Sequence, residues 1–422
     1  MQSHSKRTAQ IFNETDPLEE VLVWGEPGCE SLLGQLLPKA KSLFLSYYEV
    51  PEARQEFLRM QELIQNEGVT VLRAKDAYAN LLKEQDIPDA PTTLAGMENR
   101  LLRLADEYHQ TYGEAKAREL LRDGNPVKLE DIYAEVRRDI HLILEQDAVR
   151  YGEHTAVKLN HMLCFELGLP VANIFYGRDQ SKALGNHIVL SSMKWSIRRP
   201  ETMIYEEALR ALGFEAIVHT ENGTLEGGDV ILFENICYVG VGARTSLSGA
   251  EDVYRKIGHM LEKHDIQMVA VINARQEEEA ARFDDPTDEH MQVMHLDMFW
   301  IPLDAKLVMA YGREMDRRRA VRVTLRGDEI VTEDLGSFRE YHSRRGLEIL
   351  EVNEQEQRQY VTNLLNMGHR KVLVALSKNK RVIAELERRG YTVLCAETTK
   401  LVGGYGAIHC MTAPVRRSHW TP

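Results

Sequence analysis

The sequence predicts an α/β fold, and two recurring patterns are the basis of that prediction. One is a unit in which a stretch of helical periodicity ends at a glycine or a polar residue and leads into a short β-rich run. The other is the β-hairpin, in which two apolar runs flank a short polar turn. Internal recurrence of this kind can determine a whole architecture. We therefore expect repeated units of helix and strand.

Five copies of the helix-then-strand unit can be read along the chain. In the first, apolar residues at helical spacing follow Pro51, and Gly68 separates them from the β-rich run Val69–Leu72. A glycine at that place is typical of a helix C-cap. The other four units begin after Pro200, at Ala250, at Glu354 and at Lys380, and they end with the strands Phe214–Val218 and Gln267–Ile272 and with the runs up to Leu376 and Leu394.

Two hairpins are predicted in the gaps between these units. The first spans Asp229–Val241 and turns at Glu234-Asn235. The second spans Met298–Tyr311 and turns near Asp304. In both, β-branched or aromatic residues stand on either side of a polar turn, which is the pattern of a hairpin.

A stretch of different composition, residues 75–169, lies between the first and second units. It is rich in Glu, Lys, Arg and Leu and poor in β-branched residues, so several helices are expected. Breaks between them are predicted around Gly113 and at Asp123–Pro126, because Gly and Pro stop helices. We interpret the stretch as an inserted helical module, either a solvated bundle that supports the fold or a lid.

Bulk composition argues against several functional classes. With 43% hydrophobic and 28% charged residues, the chain can bury a large core and is too apolar for a disordered protein. The formal net charge of -13 argues against a nucleic-acid partner, because phosphate contacts need surplus Lys and Arg. An acidic surface also favours the approach of a cation, although acidity is common for solubility alone.

The scattered cysteines and the absence of a long apolar run predict a soluble protein of the cytoplasm. Five cysteines are scattered without a CxxC pair, so neither a disulfide framework nor a zinc cluster is expected, and the thiols should be reduced. The segment Met1–Asp16 lacks an apolar signal region, and no run of about 18 apolar residues occurs. We therefore expect no membrane partner.

Two short segments ahead of strands are candidate parts of a site. Asn173 to Asp179 is a polar loop before the strand at residues 187–191. In the second segment, Glu226 is followed by two glycines, which let a backbone turn tightly or approach a ligand. Either segment alone is explained equally well as a loop or turn, so their value lies in combination with two later segments.

Those later segments contain residues suited to catalysis. His295 and Asp297 would lie on the same side of an extended strand, since side chains alternate there. Cys410 follows a glycine-rich approach near the end of the chain. A His-x-Asp pattern arises often by chance, and an isolated cysteine is more often a small buried hydrophobe.

Together these residues have the composition needed to attack a guanidinium carbon. That carbon is a poor electrophile, so a soft thiolate is the natural nucleophile, favoured by a neighbouring imidazolium or by the cationic substrate itself. Two carboxylates bind a planar guanidinium bidentately and leave one face open to sulfur. An imidazole such as that of His295 can protonate departing ammonia and then deprotonate water.

The sequence resembles the arginine deiminase branch of the guanidino-group-modifying enzymes, whose four motifs occur here in the same order: Arg178-Asp179, Leu225-Glu226-Gly227-Gly228-Asp229, Met294-His295-Leu296-Asp297 and His409-Cys410-Met411-Thr412. The helical insert also resembles that branch, so the resemblance covers about Glu19 to Arg416. It implies the pentein fold, a five-bladed α/β propeller of ββαβ units. Residues 17–416 would form one catalytic domain that contains the module at 75–169.

The resemblance implies a role for each matched residue. Cys410 would be the nucleophile and His295 the general acid and base, with Glu226 orienting His295. Asp179 and Asp297 would grip the guanidinium. The rest of a small guanidino substrate would contact a second set of residues, namely Asn173, Arg198, Arg244, Gly404 and Tyr405. We expect a homo-oligomer without cofactor or metal, because the substrate already carries the positive charge that a metal would supply.

Residues next to the expected site depart from the family pattern or are left without a role. Arginine deiminases resemble one another in Arg-Gly-Gly-Gly before His-Cys, whereas Tyr405 begins the corresponding segment here. One guanidinium that would contact the substrate carboxylate is therefore missing. A smaller change is Gly177 ahead of Arg178 and Asp179. His409 is interpreted as structural, although it lies next to the thiol.

Hydrolysis of L-arginine to citrulline and ammonia is the function expected from these residues. The departure at Tyr405 leaves open another guanidino compound, or a second hydrolysis that gives ornithine. Amidino transfer to an amine is a further alternative, but the Glu-Gly-Gly-Asp motif and Met411 after His-Cys are typical of the hydrolytic branch. A non-catalytic binding protein of the same fold is disfavoured by the complete set of reactive residues.

Overall fold

The chain forms short strands that alternate with helices in the computed structural model, which describes residues 6–122, 125–273, 292–327 and 329–418. The strands in these ranges are β1 (Leu18–Val23), β2 (Thr70–Arg73), β3 (Leu121–Arg122), β4 (Asn125–Pro126), β5 (Ser181–Leu184), β6 (His187–Leu190), β7 (Ile217–His219), β8 (Val230–Phe233), β9 (Ile236–Val241), β10 (Gln267–Asn273), β11 (Trp300–Asp304), β12 (Leu307–Tyr311), β13 (Arg318–Arg326), β14 (Glu329–Ser337), β15 (Glu348–Val352), β16 (Leu365–Gly368), β17 (Lys371–Val374), β18 (Thr392–Cys395) and β19 (Ala413–Arg417).

The helices of the described ranges vary widely in length. They are α1 (Cys29–Gly34), α2 (Lys39–Ser42), α3 (Val50–Asn66), α4 (Ala74–Lys83), α5 (Leu94–Ala117), α6 (Leu129–Tyr151), α7 (Glu153–Cys164), α8 (Gly177–Gln180), α9 (Arg199–Ala211), α10 (Leu247–Lys263), α11 (Gly312–Arg317), α12 (Phe338–Arg344), α13 (Glu354–Arg358), α14 (Lys380–Arg388) and α15 (Ile408–Met411).

Five sheets repeat one strand arrangement. In each, the central strand pairs antiparallel with one neighbour and parallel with the other. The strand orders are β19-β1-β2, β5-β6-β7, β8-β9-β10, β11-β12-β15 and β16-β17-β18, and β13 and β14 extend the third sheet. A helix lies in the connection of every parallel pair, as such connections require length. The predicted α/β class is confirmed, and all five sheets are open.

Both predicted hairpins are confirmed. The first pairs β8 with β9, and its turn residues Glu234 and Asn235 have φ angles of 46° and 59°. Two consecutive left-handed residues are the geometry that a two-residue hairpin turn needs, and Asn tolerates it well. The second hairpin pairs β11 with β12 and turns after Asp304.

The fourth predicted repeat, from Glu354 to Leu376, is wrong. Its helix α13 ends at Arg358, and the apolar run that follows forms the hairpin strands β16 and β17 instead of one strand. The helix and strand of the fourth sheet are α12 and β15, which the prediction missed. Asn353 caps α13 through a capping box, a signal that begins a helix. The predicted start of this helix at Glu354 is therefore confirmed, but its predicted length is wrong.

Four helices, α4 to α7, occupy the predicted helical module. The predicted break at Asp123–Pro126 falls between α5 and α6, but the one around Gly113 is wrong because α5 continues to Ala117. A Cβ at Gly113 would lie 3.0 Å from Cδ2 of Leu129, at the start of α6. The glycine therefore permits close packing of α5 on α6 instead of ending the helix.

The module shares one apolar core with the sheets. Met97 of α5 and Ile140 of α6 belong to the same buried cluster as Val21 of β1. A buried ion pair also crosses the boundary, where Nη2 of Arg54 on α3 lies 3.0 Å from Oδ1 of Asp147 on α6. No helix in the described part of the chain combines the length and the apolarity that a membrane span requires.

Candidate active site

The predicted nucleophile, Cys410, lies in the four-residue helix α15 and is 1% exposed. Its Sγ is 3.9 Å from Oδ2 of Asp297 and 3.2 Å from Nδ2 of Asn363. A Cβ at Gly406 would lie 2.5 Å from the ring of Tyr176 and 3.0 Å from Cβ of Cys410. The loop before the cysteine can therefore pass under that ring only because residue 406 has no side chain.

Cys410 opens on a small pocket that brings the predicted substrate-binding residues together. The lining consists of Leu43, Asn173, Tyr176, Asp179, Arg198, Arg244, Met294, Gly404, Tyr405 and Cys410. All five residues predicted to contact the substrate are in that set. The free volume is about 10 Å³, close to the smallest space that holds one water molecule. Any larger ligand therefore enters only when lining side chains move.

Tyr405 lines this pocket, where it is 1% exposed and its backbone is left-handed at φ 69°. Nζ of Lys39 lies 5.0 Å from the centroid of the Tyr405 ring, within the range of a cation–π contact. Leu43 packs in the same apolar cluster as Tyr405. Nδ2 of Asn173 donates to O of Ser42 at 2.6 Å. The segment around α2 therefore contacts the pocket at two of its lining residues, Tyr405 and Asn173.

His295 and Asp297 do not lie on an extended strand, so that part of the prediction is wrong. His295 itself is extended, but Leu296–Met298 is a 3-10 turn, and β11 begins only at Trp300. Oδ1 of Asp229 accepts a hydrogen bond from N of Leu296 at 2.9 Å and fixes this turn. Both predicted side chains still reach the site, because the turn carries them to it instead of strand alternation.

Carboxylates surround the imidazole of His295. Its Nε2 is 2.9 Å from Oε2 of Glu226, and its Nδ1 is 3.5 Å from Oδ1 of Asp179. Burial alone would lower the pKa of His295, but Asp179, Glu226 and Asp229 outweigh burial and raise the pKa to about 9. Burial likewise opposes ionisation of Glu226, whereas Arg244 and His295 hold the pKa of Glu226 well below its usual range. The imidazole is therefore a cation at neutral pH, as a general acid must be.

The two glycines after Glu226 are required by close approaches within the chain. A Cβ at Gly227 would lie 2.0 Å from O of Arg178, and one at Gly228 would lie 2.8 Å from Nδ1 of His295. Real Cβ atoms do not come this close to other heavy atoms. The absence of a side chain at Gly228 therefore lets the imidazole lie where it does. The sequence left open whether the backbone at these glycines turns tightly or approaches a ligand, and in the structure it approaches other protein groups.

The two predicted substrate-binding arginines contact carboxylates of the site. Nη1 of Arg198 donates to Oδ2 of Asp179 at 2.7 Å, and both groups are buried. Nη1 of Arg244 donates to Oε2 of Glu226 at 3.2 Å. The site therefore holds guanidinium groups on two of the carboxylates that sequence reasoning assigned to catalysis.

Oδ1 of Asp179 and Oδ1 of Asp297 are among the buried carboxylate oxygens that accept no hydrogen bond from the described residues, although Nδ1 of His295 lies 3.5 Å from the first of them. The second oxygen of each group is engaged, by Arg198 in one case and by Nδ1 of His409 at 2.6 Å in the other. A buried acceptor left without a donor costs about 1–3 kcal/mol. A ligand with several N–H donors would remove this cost at both carboxylates.

The thiol of Cys410 is held in its neutral form by these surroundings. Burial raises its pKa well above the usual value, and the carboxylates of Asp297 and Asp179 raise it further. A cation placed between the two carboxylates would offset their effect. The arrangement thus favours the thiolate at the moment when a cationic ligand is present.

Three buried residues around the nucleophile were not assigned a role from the sequence. Asn363 contacts Sγ of Cys410, and His409 contacts Asp297 on one side and lies 3.4 Å from Oε1 of Glu14 on the other. Adjacency to the cysteine was a signal for His409. Glu14 and Asn363 come from distant parts of the chain and are brought in by the fold, so no local pattern marks them.

A metal ion fits this donor set poorly. Asp179, Glu226 and His295 offer ligand atoms within 4.8 Å of one another. A divalent ion there would have to displace the proton of His295 and the guanidinium of Arg244 from Glu226.

A larger cavity, of about 950 Å³, opens elsewhere among hairpin turns and the N-terminal segment. Glu234, Asp304 and His369 are among its lining residues, and none of the predicted site residues lines it. Chemistry and not cavity size therefore identifies the candidate active site.

Comparison with known sequences gives one family. The sequence model of the family described as "Arginine deiminase" matches residues 41–417. An arginine deiminase of Mycobacterium marinum is 26% identical over 419 residues, which cover 94% of this chain and 96% of the relative. An arginine deiminase of Rhodococcus erythropolis is 24% identical over 426 residues, with 96% and 97% covered.

Solved structures of other proteins show a similar fold. A mutant of DDAH from Pseudomonas aeruginosa complexed with citrulline matches with a TM-score of 0.51 at 14% identity, covering 94% of this chain and 99% of that one. SxtG, an amidinotransferase from Microseira wollei, matches with a TM-score of 0.53 at 15% identity, covering 98% and 99%. The family model covers most of the chain, which therefore belongs to the arginine deiminase family, a family of amidine-hydrolysing enzymes.

Proposed function

We propose that the chain hydrolyses L-arginine to citrulline and ammonia through an amidino intermediate on Cys410. The observation that carries the proposal is the pair of buried oxygens, Oδ1 of Asp179 and Oδ1 of Asp297, that accept no hydrogen bond from the described residues. A guanidinium presents five N–H donors in one plane and can satisfy both. The Sγ of Cys410 is 3.9 Å from Asp297, so sulfur would face the plane of the bound group.

The first half of the reaction forms the covalent intermediate. The arriving cation offsets the charge of the carboxylates, and the thiol of Cys410 releases its proton to solvent. Sulfur bonds to the guanidinium carbon, and the C–N bond to one terminal nitrogen breaks. His295, a cation in the free enzyme, gives that nitrogen a proton so that ammonia leaves.

The second half is hydrolysis of the amidino-cysteine. The now neutral imidazole of His295 takes a proton from water as the water oxygen bonds to the amidino carbon. The C–S bond then breaks as the new hydroxyl group gives up its proton to the departing sulfur, which releases citrulline and returns Cys410 to its thiol form. Glu226 orients the imidazole in both halves through the contact at 2.9 Å.

The polar outer part of the pocket would hold the amino-acid end of arginine. Arg198 and Arg244 are the two cations there that suit an α-carboxylate, and Asn173 adds an amide. Each arginine also contacts a carboxylate of the site, so each would exchange at least part of that contact for one to the α-carboxylate. That exchange of partners is consistent with the small free volume of the pocket.

The five sheets are proposed to be the blades of a closed five-bladed propeller. Their common strand arrangement supports this, as does the pairing of β1 with β19, which closes the first sheet with the end of the chain. We treat residues 17–416 as one catalytic domain with the module at 75–169 inserted. We also propose a cytoplasmic homo-oligomer, an expectation from family resemblance that sedimentation velocity and cell fractionation would test.

The decisive experiment measures ammonia release from the purified protein with L-arginine and identifies the carbon product by mass spectrometry. One equivalent of ammonia with citrulline supports the proposal. Cys410→Ser should abolish ammonia release. Cys395→Ser is the control, because Cys395 is the last residue of β18 and does not line the pocket, and it should leave ammonia release unchanged. Full activity in Cys410→Ser would overturn the proposed mechanism.

The position of Tyr405 favours a second candidate, a different guanidino substrate. Tyr405 is a buried aromatic lining residue, and Lys39 is the cation next to its ring. A guanidino compound whose other end is less acidic than an amino acid would suit this surface. Two equivalents of ammonia with ornithine would identify a dihydrolase, and turnover that requires an added amine such as glycine would identify an amidinotransferase.

A further inference from the structure

Asn363 is the buried residue whose side chain is bonded most closely to the nucleophile, and it lies between α13 and β16 with no exposed surface. Its Oδ1 accepts hydrogen bonds from N of Ala407 and from N of Cys410, both at 3.1 Å. Its backbone O accepts a third bond, from N of His409 at 3.2 Å. These bonds attach Asn363 to the first turn of the short helix that carries the thiol.

The two backbone bonds decide which way the amide points. An Asn amide has one acceptor atom and one donor atom, and two N–H groups can be served only by the oxygen. Nδ2 must therefore be the atom that faces Sγ of Cys410, at 3.2 Å. Its other acceptors are farther away, with Sδ of Met298 at 3.4 Å and O of Asp297 at 3.5 Å.

We propose that Asn363 is a catalytic residue of this site, whose Nδ2 donates a hydrogen bond to the sulfur of Cys410 and stabilises the thiolate that attacks the substrate. The proposal rests on the proposed role of Cys410 as nucleophile. It adds a residue that touches the reacting atom, comes from outside the four motifs and carries no charge.

A neutral donor is the kind of group that this thiolate needs. Burial and the carboxylates of Asp297 and Asp179 oppose ionisation of the thiol, and the hydrogen bond from Asn363 favours it. A Lys or Arg at the same place would stabilise the sulfur anion more strongly. It would also repel a guanidinium and occupy the two carboxylates meant for it. An amide stabilises the anion and leaves the carboxylates free.

The test replaces the donor and keeps the acceptor. In Asn363→Asp, one oxygen can still accept from the backbone N–H groups, while the other places an acceptor against the sulfur. Alkylation of Cys410 by iodoacetamide, a neutral reagent, is followed against pH by mass spectrometry of the peptide that contains it. We expect the apparent thiol pKa to rise by at least about one unit, which slows alkylation about tenfold at pH 8. kcat should fall more than KM rises.

Asn366→Asp is the matched control. Asn366 is also buried and nearby in the chain, but its Nδ2 donates to the backbone carbonyls of Pro302 and Leu303. The same substitution there should lower the melting temperature without moving the thiol pKa. Asn363→Ser, whose hydroxyl is too short to keep both sets of bonds, is the second variant if Asn363→Asp does not fold, and it should shift the pKa in the same direction.

The outcomes separate this proposal from the proposed function. A folded Asn363→Asp or Asn363→Ser protein with the wild-type thiol pKa overturns it, and so does an equal pKa shift in Asn366→Asp. Alkylation is measured without substrate, so that result stands whatever the protein hydrolyses. Failure of the proposed function would be seen in a different experiment, as full ammonia release by Cys410→Ser.

Discussion

The guanidinium of Arg198 donates from Nη1 to Oδ2 of Asp179 at 2.7 Å, on the carboxylate proposed to grip the substrate. Nε of the same group donates to Oε2 of Glu201 at 3.0 Å. Burial opposes the charge of Arg198, but these carboxylates outweigh burial and raise its pKa above the usual value. The site therefore already binds a guanidinium of its own at Asp179, in the manner proposed for the ligand, and Arg198 would have to give up at least one of these contacts in order to bind a substrate carboxylate.

If Arg198 then binds the substrate carboxylate, removal of the Arg198 side chain should raise KM only for substrates that have a carboxylate. We expect Arg198→Ala to raise KM for L-arginine at least about tenfold, because a hydrogen bond to a charged group contributes roughly 1.5–3 kcal/mol. KM for agmatine, which lacks the carboxylate, should change less than about threefold on the same argument. Steady-state kinetics with the two substrates measure the difference.

The neighbouring Arg199 provides the control for that experiment. Its side chain is exposed and donates to O of Met193, outside the pocket. Arg199→Ala should leave both KM values unchanged. An equal rise for arginine and agmatine in Arg198→Ala would mean that Arg198 positions Asp179 and does not bind the carboxylate.

The charge of His295 should depend on Glu226. Asp179 and Glu226 raise the pKa of His295 to about 9 against the effect of burial. Glu226→Gln keeps a hydrogen-bond acceptor and removes one negative charge, so the pKa should fall by about one unit or more. NMR titration of labelled histidines measures it. His342, whose pKa burial lowers to about 4, should not move and serves as the internal reference.

The same shift predicts how stability changes with pH. A histidine whose pKa is raised on folding stabilises the folded state fully below its unfolded pKa of about 6.5, and that contribution disappears as pH rises through about 9. For His295 the loss is on the order of 2–3 kcal/mol. Urea unfolding between pH 6.5 and 9.5 should show a shallower decline in Glu226→Gln. An equal decline in both proteins would contradict the assigned cause.

Adding one methyl group at Gly228 should disable the acid–base residue. A Cβ there would lie 2.8 Å from Nδ1 of His295, so Gly228→Ala must displace the imidazole. A displacement of about 1 Å can lower kcat about 100-fold. Gly242→Ala is the control, because its Cβ would meet Nη1 of Arg318 at 3.3 Å, a contact that a flexible side chain can relieve. Comparable kcat values for the two variants would exclude the proposed steric effect.

Local signals predicted the parts of the fold that local chemistry determines. The Glu234-Asn235 turn was readable because Asn tolerates the left-handed backbone that the hairpin needs. The fourth unit was misplaced because an apolar run reads the same whether it forms one strand or the two strands of a hairpin. Gly113 was read as a helix stop because a sequence does not show that Leu129 packs against it.

The candidate site shows the same division. The four motifs named Cys410 and His295, but not Asn363 or Glu14, which contact the site through tertiary structure alone. The prediction that His295 and Asp297 lie on the same side of the chain rested on strand alternation, which the 3-10 turn Leu296–Met298 does not have. The motifs therefore named the residues proposed to act, and the fold supplied the groups that set their charge and position.

The last prediction concerns the substrate, through Tyr405. The residue lines the outer pocket, and its left-handed backbone at φ 69° is a conformation that a side chain there must already tolerate. If the carboxylate of arginine lies at this end, Tyr405→Arg should lower KM for L-arginine about tenfold, the effect of one added charge-assisted hydrogen bond. Tyr405→Phe, which keeps the ring beneath Lys39, should leave KM unchanged. A higher KM for arginine in Tyr405→Arg, with another guanidino compound turned over faster by the wild type, would show that the aromatic ring selects that compound.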